Sequence, residues 1–248
     1  MSANGCVAEQ CAKNGSNDEN PDQYTQMWKG LWSARDTAWH LTHRNPNLVK
    51  YEEMLLNGNK SARLMFPFCG KVIDMKYFWE QGHQVFGIDC APEAIQDFYK
   101  EQSIEYETKA LDDKSTCYST KDGRMNLINT NFYTFDNPIL NGKVECVWDR
   151  GAFGTITEDE QKLYIKTIKR LLAPNFRYLL LVLEFDQSQW DGVPFSQPEE
   201  KVRQFYGDFC EIEKLNSTIP QHLSLYQKHM QNPLEVKETV YFLTPKKA

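Results

Sequence analysis

The sequence predicts an α/β protein: a doubly wound, mostly parallel sheet with helices on both faces. Two observations lead there. From Arg63 onward, short apolar runs alternate with amphipathic stretches of helical length, the pattern of parallel strands joined by helical crossovers. One run, Tyr178 to Phe185, is almost continuously apolar, as a central strand covered on both faces must be.

The elements follow in order. Residues 1–22 carry small and polar side chains and almost no large apolar one. They cannot bury enough surface to offset the entropy of ordering, so a disordered tail is expected, leaving 23–248 as the folded domain. From Tyr24 aromatic residues become dense. On a continuous helix Trp28, Trp32 and Trp39 would fall within about 40° of one another. Lys50 to Leu56 reads as the end of a helix, closed by Asn57-Gly58-Asn59. Arg63 to Phe68 is the first strand, ended by Cys69-Gly70-Lys71, and Val72 to Gln81 the helix after it, with Gly82 just past its end. Gln84 to Asp89 is a second strand and Pro92 to Gln102 a second helix. After a loop-rich stretch, Met125 to Asn129 and Lys143 to Asp149 give two more strands. Thr157 to Leu172 is a strong helix: Thr157 caps it, Glu160 completes a capping box, and Pro174 follows. Beyond Phe185 come a polar insertion with Trp190, Pro194 and Phe195, and a helix near Glu199 to Tyr206. Two closing strands, near Glu211 and over Glu238 to Leu243, suit an antiparallel hairpin at one edge.

Composition narrows the function. Hydrophobic residues at 41% and aromatics at 13% of 248 residues supply one sizeable core. A net charge of -6, with no lysine- or arginine-rich run, argues against a nucleic-acid binder. No apolar stretch reaches the roughly 18–20 residues of a membrane span. The amino terminus has no hydrophobic core for a secretory signal. The 7 cysteines form no CxxC pair and are odd in number, which points to a reducing cytosol. With no H-E-x-x-H either, no metal is expected. We expect a cytoplasmic monomer acting on a small molecule.

In an open α/β sheet, ligands bind beyond the carboxyl ends of the strands where strand order reverses. Three such ends carry polar or glycine residues here: Phe68-Cys69-Gly70, Asp89, and Asp149-Arg150-Gly151. Asp89 stands 19 positions after Gly70, close to the spacing from a glycine loop to a ribose-binding carboxylate. It would accept both ribose hydroxyls, or else merely cap the next helix. A phosphate-binding P-loop would need glycine where Met65 stands and Ser or Thr where Val72 stands. The dinucleotide pattern GxGxxG is absent too. A cofactor with adenosine but no phosphate remains, and S-adenosylmethionine is the common one. Arg150 is either a clasp for an anionic group or a local ion-pair partner of Asp149 or another carboxylate. The tryptophans are either core or a flap that covers a cationic sulfonium. His40 and His43 are candidate bases without a recognisable partner, and Cys69 is either reactive or a small buried residue.

Four segments carry a resemblance: Trp28-x3-Trp32-x6-Trp39-His40, Phe66-Pro67-Phe68-Cys69-Gly70-Lys71, Gly87-Ile88-Asp89, and Trp148-Asp149-Arg150-Gly151-Ala152-Phe153. Together they resemble the thiopurine S-methyltransferase family, from about Tyr24 to Leu243. Glu184-Phe185-Asp186 and Pro194-Phe195 are similar to that family's loop after the fifth strand. The resemblance implies a Rossmann-like, seven-stranded class I methyltransferase sheet. It implies cofactor contacts at Trp28, Trp32, Phe68, Gly70, Asp89 and Arg150, with Asn131 and Phe132 along the adenine. Trp39 stands where the family usually has Phe beside the acceptor, and Arg150 is expected to orient the acceptor as well. Asp89 replaces the more usual Glu. The stretch His222 to Met230 has Tyr226 and Gln227 where an arginine is expected.

The implied activity is methyl transfer from S-adenosylmethionine, yielding S-adenosylhomocysteine, to a small thiol or related soft nucleophile. Thiopurines, aromatic thiols, and selenium or tellurium species are open as acceptors. In-line transfer by proximity needs no dedicated base when the acceptor is an acidic thiol. For an alkyl thiol or an amine, Asp149, Asp186 or His40 would be candidates. The rivals are a small-molecule N-methyltransferase or halide/thiol methyltransferase on the same fold, and a cofactor-binding domain without turnover.

Overall fold

The computed structural model describes residues 22–37, 39–140, 144–190, 192–220 and 235–247. The expected tail lies outside them apart from Asp22, and so does the stretch from His222 to Met230 with Tyr226 and Gln227. Six α-helices are described: α1 (Asp22–Ser33), α2 (Pro46–Leu56), α3 (Asp74–Glu80), α4 (Pro92–Glu101), α5 (Glu158–Leu171) and α6 (Glu199–Tyr206). The strands are β1 (Arg63–Pro67), β2 (Gln84–Asp89), β3 (Glu107–Asp112), β4 (Ser115–Ser119), β5 (Met125–Asn129), β6 (Val144–Arg150), β7 (Leu172–Glu184), β8 (Cys210–Thr218) and β9 (Lys237–Pro245). They form one sheet in the order β3-β4-β5-β2-β1-β6-β7-β9-β8.

Among the described residues the sheet has nine strands rather than the expected seven. The two extra strands, β3 and β4, make an antiparallel hairpin in the stretch read as loop-rich. β3 is an edge strand exposed at nearly every position, so it has no apolar alternation to announce it. Its turn is an Asx turn, with the Asp112 carboxylate accepting the Lys114 amide at 2.8 Å. A second difference concerns β7. α5 runs directly into a strand that begins at Leu172, so Pro174 ends no helix. The β6–β7 register slips between Val144 and Cys146, beside that proline end of β7, the kind of irregularity where a strand tolerates proline.

β5, β2, β1, β6 and β7 run parallel. The chain builds outward from β1 through β2 to β5, then returns to β1's other side for β6 and β7. The strand order therefore reverses between β1 and β6, and the crevice opens there.

Strand alternation divides the core in two. On one face, Leu64, Phe66, Val85, Leu127, Leu179 and Leu181 pack against Leu48 and Leu55 of α2, Phe78 of α3 and Phe98 of α4. On the other, Met65, Ile88, Ile128, Tyr178 and Leu180 meet Tyr164 and Ile168 of α5 and Tyr206 of α6. Helices thus cover both faces, as the sequence predicts. No helix among the described residues is long and apolar enough to cross a membrane.

Local signals set several helix ends. Asn57 takes the left-handed conformation after α2 and donates its amide to Glu53. At α5 the Glu160 amide donates to Thr157 Oγ1 at 3.3 Å, and the Thr157 amide donates to Glu160 Oε2 at 2.9 Å. Thr157→Ala removes one half of this reciprocal cap. It should lower unfolding free energy by about 1 kcal/mol, read as a lower urea midpoint at unchanged slope.

Candidate active site

At the switch point a cavity of about 280 Å³ opens beyond the carboxyl ends of β1, β2, β5, β6 and β7. Trp28, Trp32, Trp39, Phe68, Gly70, Asp89, Asn131, Phe132 and Arg150 all line it. Residues spread over more than a hundred positions of sequence thus meet around one space.

The glycine turn sits on the tip of β2. Gly70 donates its amide to Asp89 Oδ2 at 2.7 Å, and Ala91 donates to Asp89 Oδ1 at 2.9 Å. The Asp89 main-chain carbonyl accepts the Thr130 amide at 3.0 Å. Asp89 therefore braces the residue just ahead of α4 and also lines the cavity. The Cys90 amide also bonds to the carboxylate, and a carboxylate can accept about four hydrogen bonds. Asp89 is only 6% exposed, and burial pushes its carboxyl up to about 6 against the pull of the backbone amides.

Two glycines make this contact possible. A Cβ at Gly87 would lie 2.7 Å from Cys69 Sγ, so only glycine lets the turn lie flat on β2. Gly70 has φ +49°. A Cβ there would meet Trp32 Cζ2 at 2.8 Å. Phe68 also adopts positive φ, +48°, a conformation that costs a non-glycine residue about 1 kcal/mol or more. Its ring is held edge-on to Phe132 at 5.6 Å and to Tyr164 at 5.8 Å, while Phe132 stacks on Tyr164 at 5.0 Å. Aromatic packing holds the strained turn.

The three tryptophans converge, though not on one helix. α1 ends at Ser33, and Trp39 belongs to a turn beyond it. Trp39 nevertheless packs edge-on against Trp28 at 5.2 Å and Trp32 at 5.9 Å. Trp32 and Trp39 rest on Ala91, just ahead of α4, and Ala94 within it. The stripe is both packing and cavity wall.

At the other end stands Arg150, whose Nη1 donates to the Trp39 carbonyl at 3.1 Å. A pairing of Arg150 with Asp149 does not occur, because adjacent strand residues point to opposite faces. Asp149 is 0% exposed. Its Oδ2 accepts Tyr164 and Tyr178 hydroxyls at 2.6 and 2.7 Å, and its Oδ1 accepts the Ala152 and Phe153 amides at 3.1 and 3.3 Å. Burial and the nearby carboxylate push both phenols far above their usual range, so they stay donors. Asp149 is a sealed anchor for the turn that follows Arg150.

That geometry removes Asp149 as a base. Asp186 is no better placed: it caps the turn Gln187–Gln189 and does not line the cavity. His40 does line it. Burial, then Lys71 and Arg150, lower His40 to about 4 against the opposing pull of Glu101, which leaves it neutral and weakly basic near pH 7. His43 is exposed and away from the cavity. Cys69 is buried, and desolvation raises its thiol well above the usual range, the bland alternative. Sequence reasoning missed Thr130, Glu160, Trp190 and Val193 as lining residues. Glu160 signalled only its cap. Trp190 had one sign, a large aromatic inside a polar insertion, and that loop is sewn to the end of β7 by Gln197 N–H to Leu183 O at 2.8 Å.

Residues 23–246 match the family model described as Thiopurine S-methyltransferase. Thiopurine S-methyltransferase of Bos taurus is 32% identical over 193 residues, covering 77% of this chain and 78% of that protein. The Mus spretus enzyme is 30% identical over 240 residues, 92% of this chain and 98% of its own. Among solved structures, N-methyltransferase NodS from Bradyrhizobium japonicum WM9, in complex with S-adenosylhomocysteine, has a TM-score of 0.62 at 10% identity, covering 91% of this chain and all 100% of that one. The 1,6-didemethyltoxoflavin-N1-methyltransferase of Burkholderia thailandensis has a TM-score of 0.58 at 15% identity, covering 94% of each chain. The fold is that of class I methyltransferases.

The Gly70–Trp32 contact yields a test. Gly70→Ala adds strain and pushes the indole aside, so stability should fall by about 1–3 kcal/mol. In Trp32→Ala the clash is absent, and adding Gly70→Ala should cost measurably less. A double-mutant cycle in urea reads this coupling; strict additivity would separate the two residues.

Proposed function

This chain belongs to the thiopurine S-methyltransferase family, and from that premise we propose that it transfers the methyl group of S-adenosylmethionine to a small thiol or related soft nucleophile. The acceptor classes are thiopurines, aromatic thiols, and selenium or tellurium species. The reading covers 23–248 as the catalytic unit, working in the cytoplasm as a monomer. The observation that supports it best is the Gly70 amide on the Asp89 carboxylate at 2.7 Å, at the edge of a cavity walled by three tryptophans.

The residues present fit an adenosyl group without phosphates. Asp89 has lone-pair capacity left for a sugar hydroxyl. Phe132 and Phe68, standing edge to face, and Asn131 wall the space read as the adenine's. Trp28 and Trp32 present ring faces and edges to a sulfonium, with cation–π attraction and exclusion of water. When bound, the cofactor supplies an electrophilic methyl on positively charged sulfur.

The chain's own contribution is placement. Trp39 and Arg150 orient the acceptor, and the anchored turn after β6 keeps Arg150 in position. Alignment at about 3–3.5 Å can supply several kcal/mol of barrier reduction. With His40 lowered to about 4 and Asp149 sealed, the acceptor enters the reaction as an anion formed in solution.

Two experiments check this. Sugar hydroxyls favour ionised Asp89, so binding lowers its pKa from about 6 and releases a proton. Cofactor affinity should be level at pH 7–8 and weaken below about pH 6, by at most about ten-fold per unit. Calorimetric titration of S-adenosylmethionine and S-adenosylhomocysteine reads it, with Asp89→Asn weak and flat. A wild-type affinity unchanged at pH 5 would take Asp89 off the sugar. Separately, kcat/KM should rise with pH up to each acceptor's own thiol pKa and then level. One bend shared by acceptors of different acidity would mean an enzyme base after all.

A further inference from the structure

Next to the leucines of the cavity wall, and outside the lining itself, stands a carboxylate that no reading so far uses, Glu238. Across the sheet Arg150 of β6 aligns with Leu181 of β7, Leu181 with Val240 of β9, and Leu183 with Glu238. Aligned residues share a face, so Arg150, Leu181, Leu183 and Glu238 project to the same side. All four lie toward the same end of the sheet. Leu181 and Leu183 line the cavity. Arg150 and Glu238 therefore flank a leucine floor, two strands or roughly 10 Å apart across the sheet.

Both charges are held by neutral partners. Arg150 gives a hydrogen to the Trp39 carbonyl at 3.1 Å. Glu238 Oε1 accepts Asn47 Nδ2 at 2.6 Å, at the start of α2. That bond keeps a half-buried carboxylate from swinging into solvent. Burial raises the Glu238 carboxyl and Arg150 draws it back, so the two charges feel each other. Of the other charged residues lining the cavity, Lys71 pairs with Glu101 at 2.6 Å, Glu160 is held within its cap and by Tyr133 at 3.2 Å, and Asp36 is a further carboxylate.

Resting on the thiol-acceptor reading of this site, we propose that Glu238 is a specificity-determining residue: it offsets Arg150 and biases the site against acceptors that carry a carboxylate besides the reacting thiolate. An acceptor on Leu181 and Leu183 lies between a cation and an anion. An added carboxylate gains from Arg150 and loses to Glu238, whereas a neutral substituent feels neither strongly. Partial burial leaves such fields only partly screened.

The test compares benzoate with benzamide, which differ in charge and little in shape. Their dissociation constants are measured by titration on wild type, Glu238→Gln and Glu238→Asp, with and without S-adenosylhomocysteine. Glutamine can still accept from Asn47, and thermal melts check that each variant folds. Glu238→Gln should bind benzoate about three- to ten-fold more tightly, the scale of one partly screened charge, with benzamide unchanged. Glu238→Asp should behave as wild type. In kinetics, the KM for 4-mercaptobenzoate should fall in Glu238→Gln while that for 4-mercaptobenzamide stays. Equal shifts for both ligands, no shift, no benzoate binding in any protein, or Glu238→Asp matching Glu238→Gln would each overturn the assignment. If the wild type binds cofactor but methylates no thiol, the thiol reading fails, and the benzoate titrations still decide the role of Glu238.

Discussion

The Asp89 carboxylate accepts the Gly70 amide on one oxygen and the Ala91 amide on the other, and the shape of the cavity's mouth follows from that bridge. It joins the turn after β1 to the residue just ahead of α4. Trp32 can rest against Gly70 only because the turn is held there. Trp39 packs on Trp32, and Arg150 donates to the Trp39 carbonyl. A line of contacts therefore runs from one strand tip to the far end of the site. A carboxylate this buried is costly to ionise unless donors face it, and backbone amides are donors that cannot swing away.

Asp149 obeys the same rule with the opposite result. Two phenols and two amides use its oxygens, and no edge of it reaches the cavity. One acid lines the cavity and the other is enclosed in protein. The difference is set by strand alternation: Asp149 faces α5, while its neighbour Arg150 faces the cavity.

Much of this was legible in the sequence because it rests on local signals. The strand tips at Gly70, Asp89 and Arg150 were visible as polar or glycine breaks after apolar runs. The α5 cap was spelled out by Thr157 and Glu160. The tryptophans were legible as a group, although the continuous helix that first aligned them was not there; Trp39 arrives by a turn. What could not be read has physical causes. β3 is exposed on both sides and so lacks any pattern of burial. The seal over Asp149 depends on tyrosines fifteen and twenty-nine positions away, and the approach of Glu238 depends on sheet register. Neither leaves a trace in local composition.

The edge-on packing of Trp39 against Trp28 and Trp32, with centroids 5.2 and 5.9 Å apart, has an optical consequence. Indoles this close share their electronic transitions, so the cluster should give an exciton couplet in circular dichroism rather than three independent bands. The molecule thus carries a built-in chromophore at its own doorway, sensitive to small rotations of any one ring.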